Sequence, residues 1–118
     1  MKCMSKPRKH IGYHGEQVAL DRYTQKGYTL QARNFTIRGG EIDLIFTHET
    51  VRIFVEVKVV NGLEEVDNIL TYHKRRALYR SIQTYRYQHQ VWNNWRLDLV
   101  LVQGNKVAHI FPHVALWE

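Results

Sequence analysis

A chain of 118 residues with a formal net charge of +6 at neutral pH is long enough for one hydrophobic core and too short for two. Its 44% hydrophobic and 24% charged residues, with seven glycines and two prolines, exclude a disordered or fibrous chain. No apolar run exceeds that of Leu99 to Val102, which excludes a transmembrane helix of roughly 20 residues. The 17 basic residues against 11 acidic ones, and a pI near 9.6, point to a polyanionic partner, although the same excess would also keep a small protein soluble. Cys3 is the single cysteine, so neither an intramolecular disulfide nor a cysteine zinc cage is available, and a reducing cytoplasm is the expected location.

In chain order, residues 1 to 10 are basic and lack the apolar stretch of a secretory signal, and they are expected to form a solvated arm ahead of a single domain over residues 11 to 118. Gly12 to Lys26 suits a helix, with Val18, Ala19, Leu20 and Tyr23 as its apolar stripe and Gly27 at its end. Tyr28 to Ile37 has a β composition closed by Gly39-Gly40. Ile42, Leu44 and Phe46 alternate with Glu41, Asp43 and Ile45, and the alternation resumes after His48-Glu49 as Val51, Ile53, Val55, Val57 and Val59. These two segments predict a hairpin. Glu64 to about Gln90, free of Gly and Pro, predicts one long helix, and Arg96 to Val102 and Lys106 to Phe111 are two further strands about Gly104-Asn105. Strands before and after the long helix must be joined by a crossover, so the expected fold class is α/β, a mixed sheet flanked by helices in the order α-β-β-β-α-β-β.

The hairpin carries the main chemical signal. Side chains alternate across a strand, so Glu56 and Lys58 share the face opposite Ile53, Val55 and Val57. If the apolar sets of both strands share a buried face, Asp43 lies opposite Phe54 or Glu56, and either register puts it on the face of Glu56 and Lys58. Two carboxylates and a lysine brought together suit metal-dependent phosphodiester hydrolysis. Magnesium or manganese takes carboxylate oxygens, and a lysine can orient water or stabilise a crowded phosphate. The plain alternative for the same trio is a solvated strand face with a cross-strand ion pair.

The segments Gly15-Glu16, Gly27-Tyr28, Arg33-Asn34, Gly40-Glu41-Ile42-Asp43-Leu44-Ile45, Phe54-Val55-Glu56-Val57-Lys58 and Arg96-Leu97-Asp98 resemble the bacterial YraN-like family. That family is assigned to the restriction-endonuclease-like superfamily, whose signature is an Asp followed at a distance by Glu-x-Lys. The resemblance runs from about Gly12 to Val102 and implies a metal-dependent DNA endonuclease; 118 residues with no separate recognition domain lead one to expect junctions, flaps or ends as substrates rather than a base sequence. It implies Asp43 and Glu56 as metal ligands, with the Val57 carbonyl beside them, and Lys58 as the catalytic lysine. It further implies Glu16 as the extra acidic ligand of resolvase-like members and magnesium or manganese as cofactor. Branched or structured DNA is the implied partner, RNA a further candidate, and a resolvase-like homodimer would set two sites on two strands. The lysine of the motif is usually followed by a polar and then a basic residue, whereas Val59-Val60 stand here. A non-catalytic nucleic-acid-binding or partner-binding module on the same fold is therefore the alternative.

Other residues admit a structural reading as readily. Glu16, early in its helix, also suits the positive end of the helix dipole. Lys74, Arg75 and Arg80, with Arg76, Arg86 and the tyrosines at 72, 79, 85 and 87, are expected to hold phosphates and stack bases, or else to form a solvated face. Arg96 and Asp98 share a strand face and most simply form a supporting salt bridge. Trp92, Trp95 and Trp117 suit a core or an interface.

Overall fold

The computed structural model describes residues 7–62 and 64–116. The elements run α1 (Pro7–Gln25), β1 (Thr29–Ile37), β2 (Gly40–His48), β3 (Val51–Val59), α2 (Val66–Ile69), α3 (Tyr72–His89), β4 (Trp95–Gln103) and β5 (Lys106–Phe111). One sheet holds the five strands in sequential order. Its β3–β4 pair is parallel and the other pairs are antiparallel, as the crossover through α3 requires. Among the described residues no helix is long and apolar enough to cross a membrane.

Two boundaries differ from the sequence reading. The first helix starts at Pro7, a residue whose missing N–H costs nothing in a first turn; the last four residues of the expected arm are thus helical, and residues 1–6 lie outside the described residues. The long helix expected from Glu64 to Gln90 is two helices. The chain leaves the helical region at Leu70 (φ −99°, ψ 79°), whose side chain is buried, and Thr71 restarts it as an N-cap, its hydroxyl accepting the Lys74 N–H at 3.3 Å. Arg75 locks this break. Its guanidinium donates to Leu70 O at 2.7 Å and to the Ala115 carbonyl, and pairs with Asp67 at 2.6 Å.

Both faces of the sheet are covered. Leu44, Phe46, Ile53, Val55, Val100 and Val102 pack under Ala19 and Tyr23 of α1, while Ile45, Phe54, Leu97, Leu99 and Leu101 pack under Leu78, Ile82 and Tyr85 of α3. Burial on two sides is why Leu97–Val102 reads as an unbroken buried run, the signature of a central parallel strand. On the α1 face Asp98 is buried but satisfied. It accepts from Tyr23 Oη at 2.7 Å and from the His113 N–H at 3.2 Å, and it pairs with Arg96 at 3.0 Å, the supporting bridge the sequence led one to expect. Trp95 packs edge-on to Phe54, Trp92 is exposed, and Trp117 lies outside the described residues.

Candidate functional site

The site begins where β2 and β3 part. Their ladder runs from His48↔Val51 to Leu44↔Val55, so continuing the same register would set Asp43 opposite Glu56. Instead the Asp43 carboxylate accepts the Val57 N–H at 2.8 Å, replacing the backbone partner that the separating strand withdraws. Side-chain alternation also breaks there. Leu44 belongs to the core under α1 and Ile42 to the core under α3, so Asp43 sits in an opening that both helices can reach.

The neighbouring elements bring charged groups into that opening or, in the case of Glu16, to its edge beside Glu41 and Asp43. From β3, Glu56 is only 7% exposed, and Lys74, in the first turn of α3, places Nζ 2.9 Å from Glu56 Oε2. From α1, Glu16 Oε1 accepts the Asn34 amide at 3.0 Å and stands 3.7 Å from Arg33 Nε. The same Asn34 amide donates to Glu41 Oε2 at 3.3 Å. Asn34 adopts φ 55°, a left-handed conformation that Asn tolerates better than most residues. Glu16, Glu41 and Asp43 each offer an oxygen within 4.8 Å of the other two. Thr36, Gly39, Glu41, Asp43, Glu56 and Lys74 line a cleft of about 470 Å³ between the β1–β2 turn and α3. Gly40 permits this close approach, because a Cβ there would meet Ala77 O at 2.9 Å.

Crowding of like charges in a partly dry site holds protons that isolated carboxylates release. Burial, reinforced by the Asp43 charge, pushes Glu56 up to about 8 against the pull of Lys74. Burial raises Glu16 to about 7, with the Asn34 hydrogen bond opposing and Asp43 adding to the rise. Asp43 is raised by burial too, although its bond from Val57 works the other way. Burial would lower the Lys74 ammonium, but Glu56 and then Asp43 outweigh it and the ammonium is raised.

An all-oxygen donor set under mutual repulsion has the chemistry of a hard divalent-cation site, so the residues present fit magnesium or manganese. Glu16, Glu41 and Asp43 would hold it, with Glu56 adjoining. Glu41 was not singled out from the sequence. Its signal was the spacing Glu41-x-Asp43 on one strand, which becomes informative only once Asn34 and Glu16 are seen to face it.

The expected convergence needs correcting in its third member. Lys58 follows Glu56 on the same strand face but lies about 7 Å farther along the strand, is exposed, and does not line the cleft. The ammonium beside Glu56 is that of Lys74. Of the three residues expected to contact phosphates, Lys74 faces the cleft, and Arg80 is exposed with its guanidinium donating to Gly39 O at 3.1 Å. Arg75 is turned inward, 12% exposed along its side chain, with its guanidinium nitrogens spent on the α2–α3 break. Val60 belongs to the core under α3, and Val59 packs against α1, where a Cβ on Gly15 would meet it at 2.6 Å; the two valines after the lysine thus face opposite sides of the sheet.

Comparison with known proteins supplies the kinship. Residues 15–102 match the family described as "Uncharacterised protein family UPF0102", a span that includes Glu16, Glu41, Asp43, Glu56, Lys58 and Lys74. The chain is similar to the UPF0102 protein of Dichelobacter nodosus, 35% identical over 104 residues that cover 86% of this chain and 82% of that one. It is 32% identical over 115 residues to the Chloroflexus aurantiacus protein, covering 94% of both chains. Against the Campylobacter lari protein the identity is 33% over 97 residues, with 82% and 87% covered. Since the match runs from the glycine before Glu16 to the end of the apolar run of β4, it takes in every carboxylate of the cleft, and the chain belongs to the UPF0102 family.

Proposed function

We propose that the cleft is the active site of a metal-dependent nuclease acting on DNA phosphodiesters. The observation that carries this reading is the delivery of Glu16, Glu41, Asp43 and Glu56 from α1, β2 and β3, together with Lys74 from α3, to one polar opening at the point where β2 and β3 separate. A bound magnesium or manganese would supply Lewis acidity to the phosphate and lower the pKa of a water. The protein's own groups account for the rest. Lys74, half-exposed with its ammonium held by Glu56, is placed to pair with a non-bridging phosphate oxygen on which charge grows. Before any cation binds, burial beside Asp43 raises Glu56 to about 8, so it would pass into the charged form and release a proton once the neighbouring carboxylates held a cation. Hydrolysis forms one P–O bond from water and breaks one ester P–O bond, and the departing oxygen leaves as an alcohol once protonated. Among the described residues the cleft is carried by one sheet and its helices, an arrangement that suits branched or end structures better than a base sequence.

The test is cleavage of a panel of branched, flapped and linear DNAs with magnesium or manganese, run beside Glu56→Gln and Asp43→Asn. Metal-dependent cleavage lost in both variants is the expected result. Wild-type protein that cleaves none of them while binding DNA normally overturns the reading in favour of a non-catalytic binding module. The exposed Lys58, outside the cleft lining, favours that second reading, since the lysine two residues after Glu56 then takes no part in the site.

A further inference from the structure

The face of α3 turned away from the sheet belongs to no part of the cleft. In 18 residues α3 carries five cations, four tyrosines and no acidic side chain, which concentrates much of the chain's positive charge on one element. Helical periodicity divides these residues. Lys74, Leu78, Ile82 and Tyr85 face the sheet or the cleft, while Tyr72, Arg76, Arg80 and Tyr87 follow one another at steps of four, four and seven along the outer side. Exposure agrees with that division: Tyr72 is 63% and Tyr87 77% exposed, and Arg76 and Arg80 are exposed. Trp92, just past the end of the helix, is 63% exposed.

We infer that this stripe is a track for an unpaired DNA strand leading to the cleft, so that the preferred substrate has single-stranded character beside the scissile phosphate. Large rings left in water between guanidinium groups match a partner that alternates flat π-faces with anions, as an unpaired strand does. A duplex keeps its bases stacked inside and offers the tyrosines nothing to stack on. Arg76 stands 5.7 Å over the Tyr72 ring and His73 packs edge-on to it, yet most of the ring remains in solvent where a base can stack. From Tyr72 to Tyr87 the helix runs about 22 Å, room for roughly six nucleotides at a stacked spacing of about 3.4 Å. The track also joins the cleft, because Arg80 on the outer side bonds the carbonyl of Gly39, and Gly39 lines the cleft. The choice of DNA rests on the nuclease reading above; the stacking surface itself does not.

The test is the anisotropy of a fluorescein-labelled oligothymidylate titrated with the whole protein in EDTA, beside a duplex of equal length and an oligouridylate. Single-stranded DNA should bind more tightly than duplex. Tyr72→Ala and Tyr87→Ala should each weaken single-strand binding about tenfold and leave duplex binding within about twofold. Tyr72→Phe and Tyr87→Phe should restore it, and thermal melting of each variant should match wild type, since these rings are exposed. Arg76→Ala should reduce the salt slope by about one. Unchanged single-strand affinity in both alanine variants, or equal losses on duplex, overturns the inference, and tighter binding of oligouridylate overturns the assignment to DNA. Because EDTA suppresses turnover, this result is separable from cleavage. Tyrosine-dependent binding by a protein that cleaves nothing overturns only the nuclease reading, and metal-dependent cleavage with tyrosine-independent binding overturns only this one.

Discussion

Lys74 Nζ lies 2.9 Å from Glu56 Oε2, a pairing made possible by the restart of the chain at Thr71, which places Lys74 in the first turn of a new helix instead of midway along an older one. That pair is the single ion bridge between α3 and the carboxylates of the cleft among the described residues. The helix break therefore decides which lysine serves the site.

Removing Lys74 should accordingly differ from removing Lys58. Lys74→Ala leaves Glu56 buried beside Asp43 without its cation and should cost about 1 kcal/mol, a figure kept low because half of the lysine side chain is in solvent. Lys58→Ala, at an exposed position, should fall within about 0.5 kcal/mol of wild type. Urea unfolding at pH 7 measures both, and a larger loss for Lys58→Ala would return Lys58 to the cleft.

The metal-free protein should lose stability as pH rises from about 4.5 to about 8. Glu16 is raised to about 7 and Glu56 to about 8, so across that window the folded state holds protons that the unfolded chain has released, and stability falls with pH. Below the unfolded values the contribution is complete; above the folded values it is gone. Glu56→Gln should flatten the slope, as thermal melts in EDTA across that range would show. A slope of opposite sign would place these carboxylates in a well-compensated setting.

Manganese or magnesium should raise the melting temperature at pH 7.5, because an ion that binds only the folded state shifts the equilibrium by mass action. Glu41→Gln should diminish that rise as strongly as Asp43→Asn does, since the two carboxylates share one cluster with Glu16. An undiminished shift in Glu41→Gln would remove Glu41 from the donor set.

Gly40→Ala should destabilise the fold by roughly 1–3 kcal/mol, because the added methyl meets the Ala77 carbonyl at 2.9 Å and the Ser81 hydroxyl. The strain falls where α3 closes over the cleft. Calorimetric unfolding that matches wild type would mean α3 is free to move off β2.

Arg75→Ala should weaken the fold by about 2 kcal/mol through the loss of its bonds to Leu70, Ala115 and Asp67, while DNA affinity changes less than it does in Arg80→Ala. The opposite ranking in a binding titration would put the Arg75 guanidinium on the nucleic-acid surface.

The pattern along the chain was enough to read the order of elements, the hairpin and a common side for Asp43 and Glu56, because a period of two ties each side chain to one face and both registers that bury the apolar sets place the two carboxylates together. It also determined that Arg96 and Asp98 would meet, since they stand two apart on one strand. The remaining features arise from contacts between elements distant in the chain. Two helices cover both faces of the sheet, so Ile45 and Phe54, which belong to the polar side by alternation, are as buried as Leu44 and Val55. The separation of β2 from β3 turns Asp43 away from simple alternation and toward Glu16 and Glu41. Leu70 enters the core and Thr71 caps a new helix, a choice that helix periodicity over Glu64 to Gln90 does not encode, because the break depends on a hydrophobic pocket and on carbonyls that Arg75 finds only after folding. From that break follows the exchange of Lys58 for Lys74 beside Glu56, since a lysine's place in a site depends on where its backbone ends up and not on the motif that contains it.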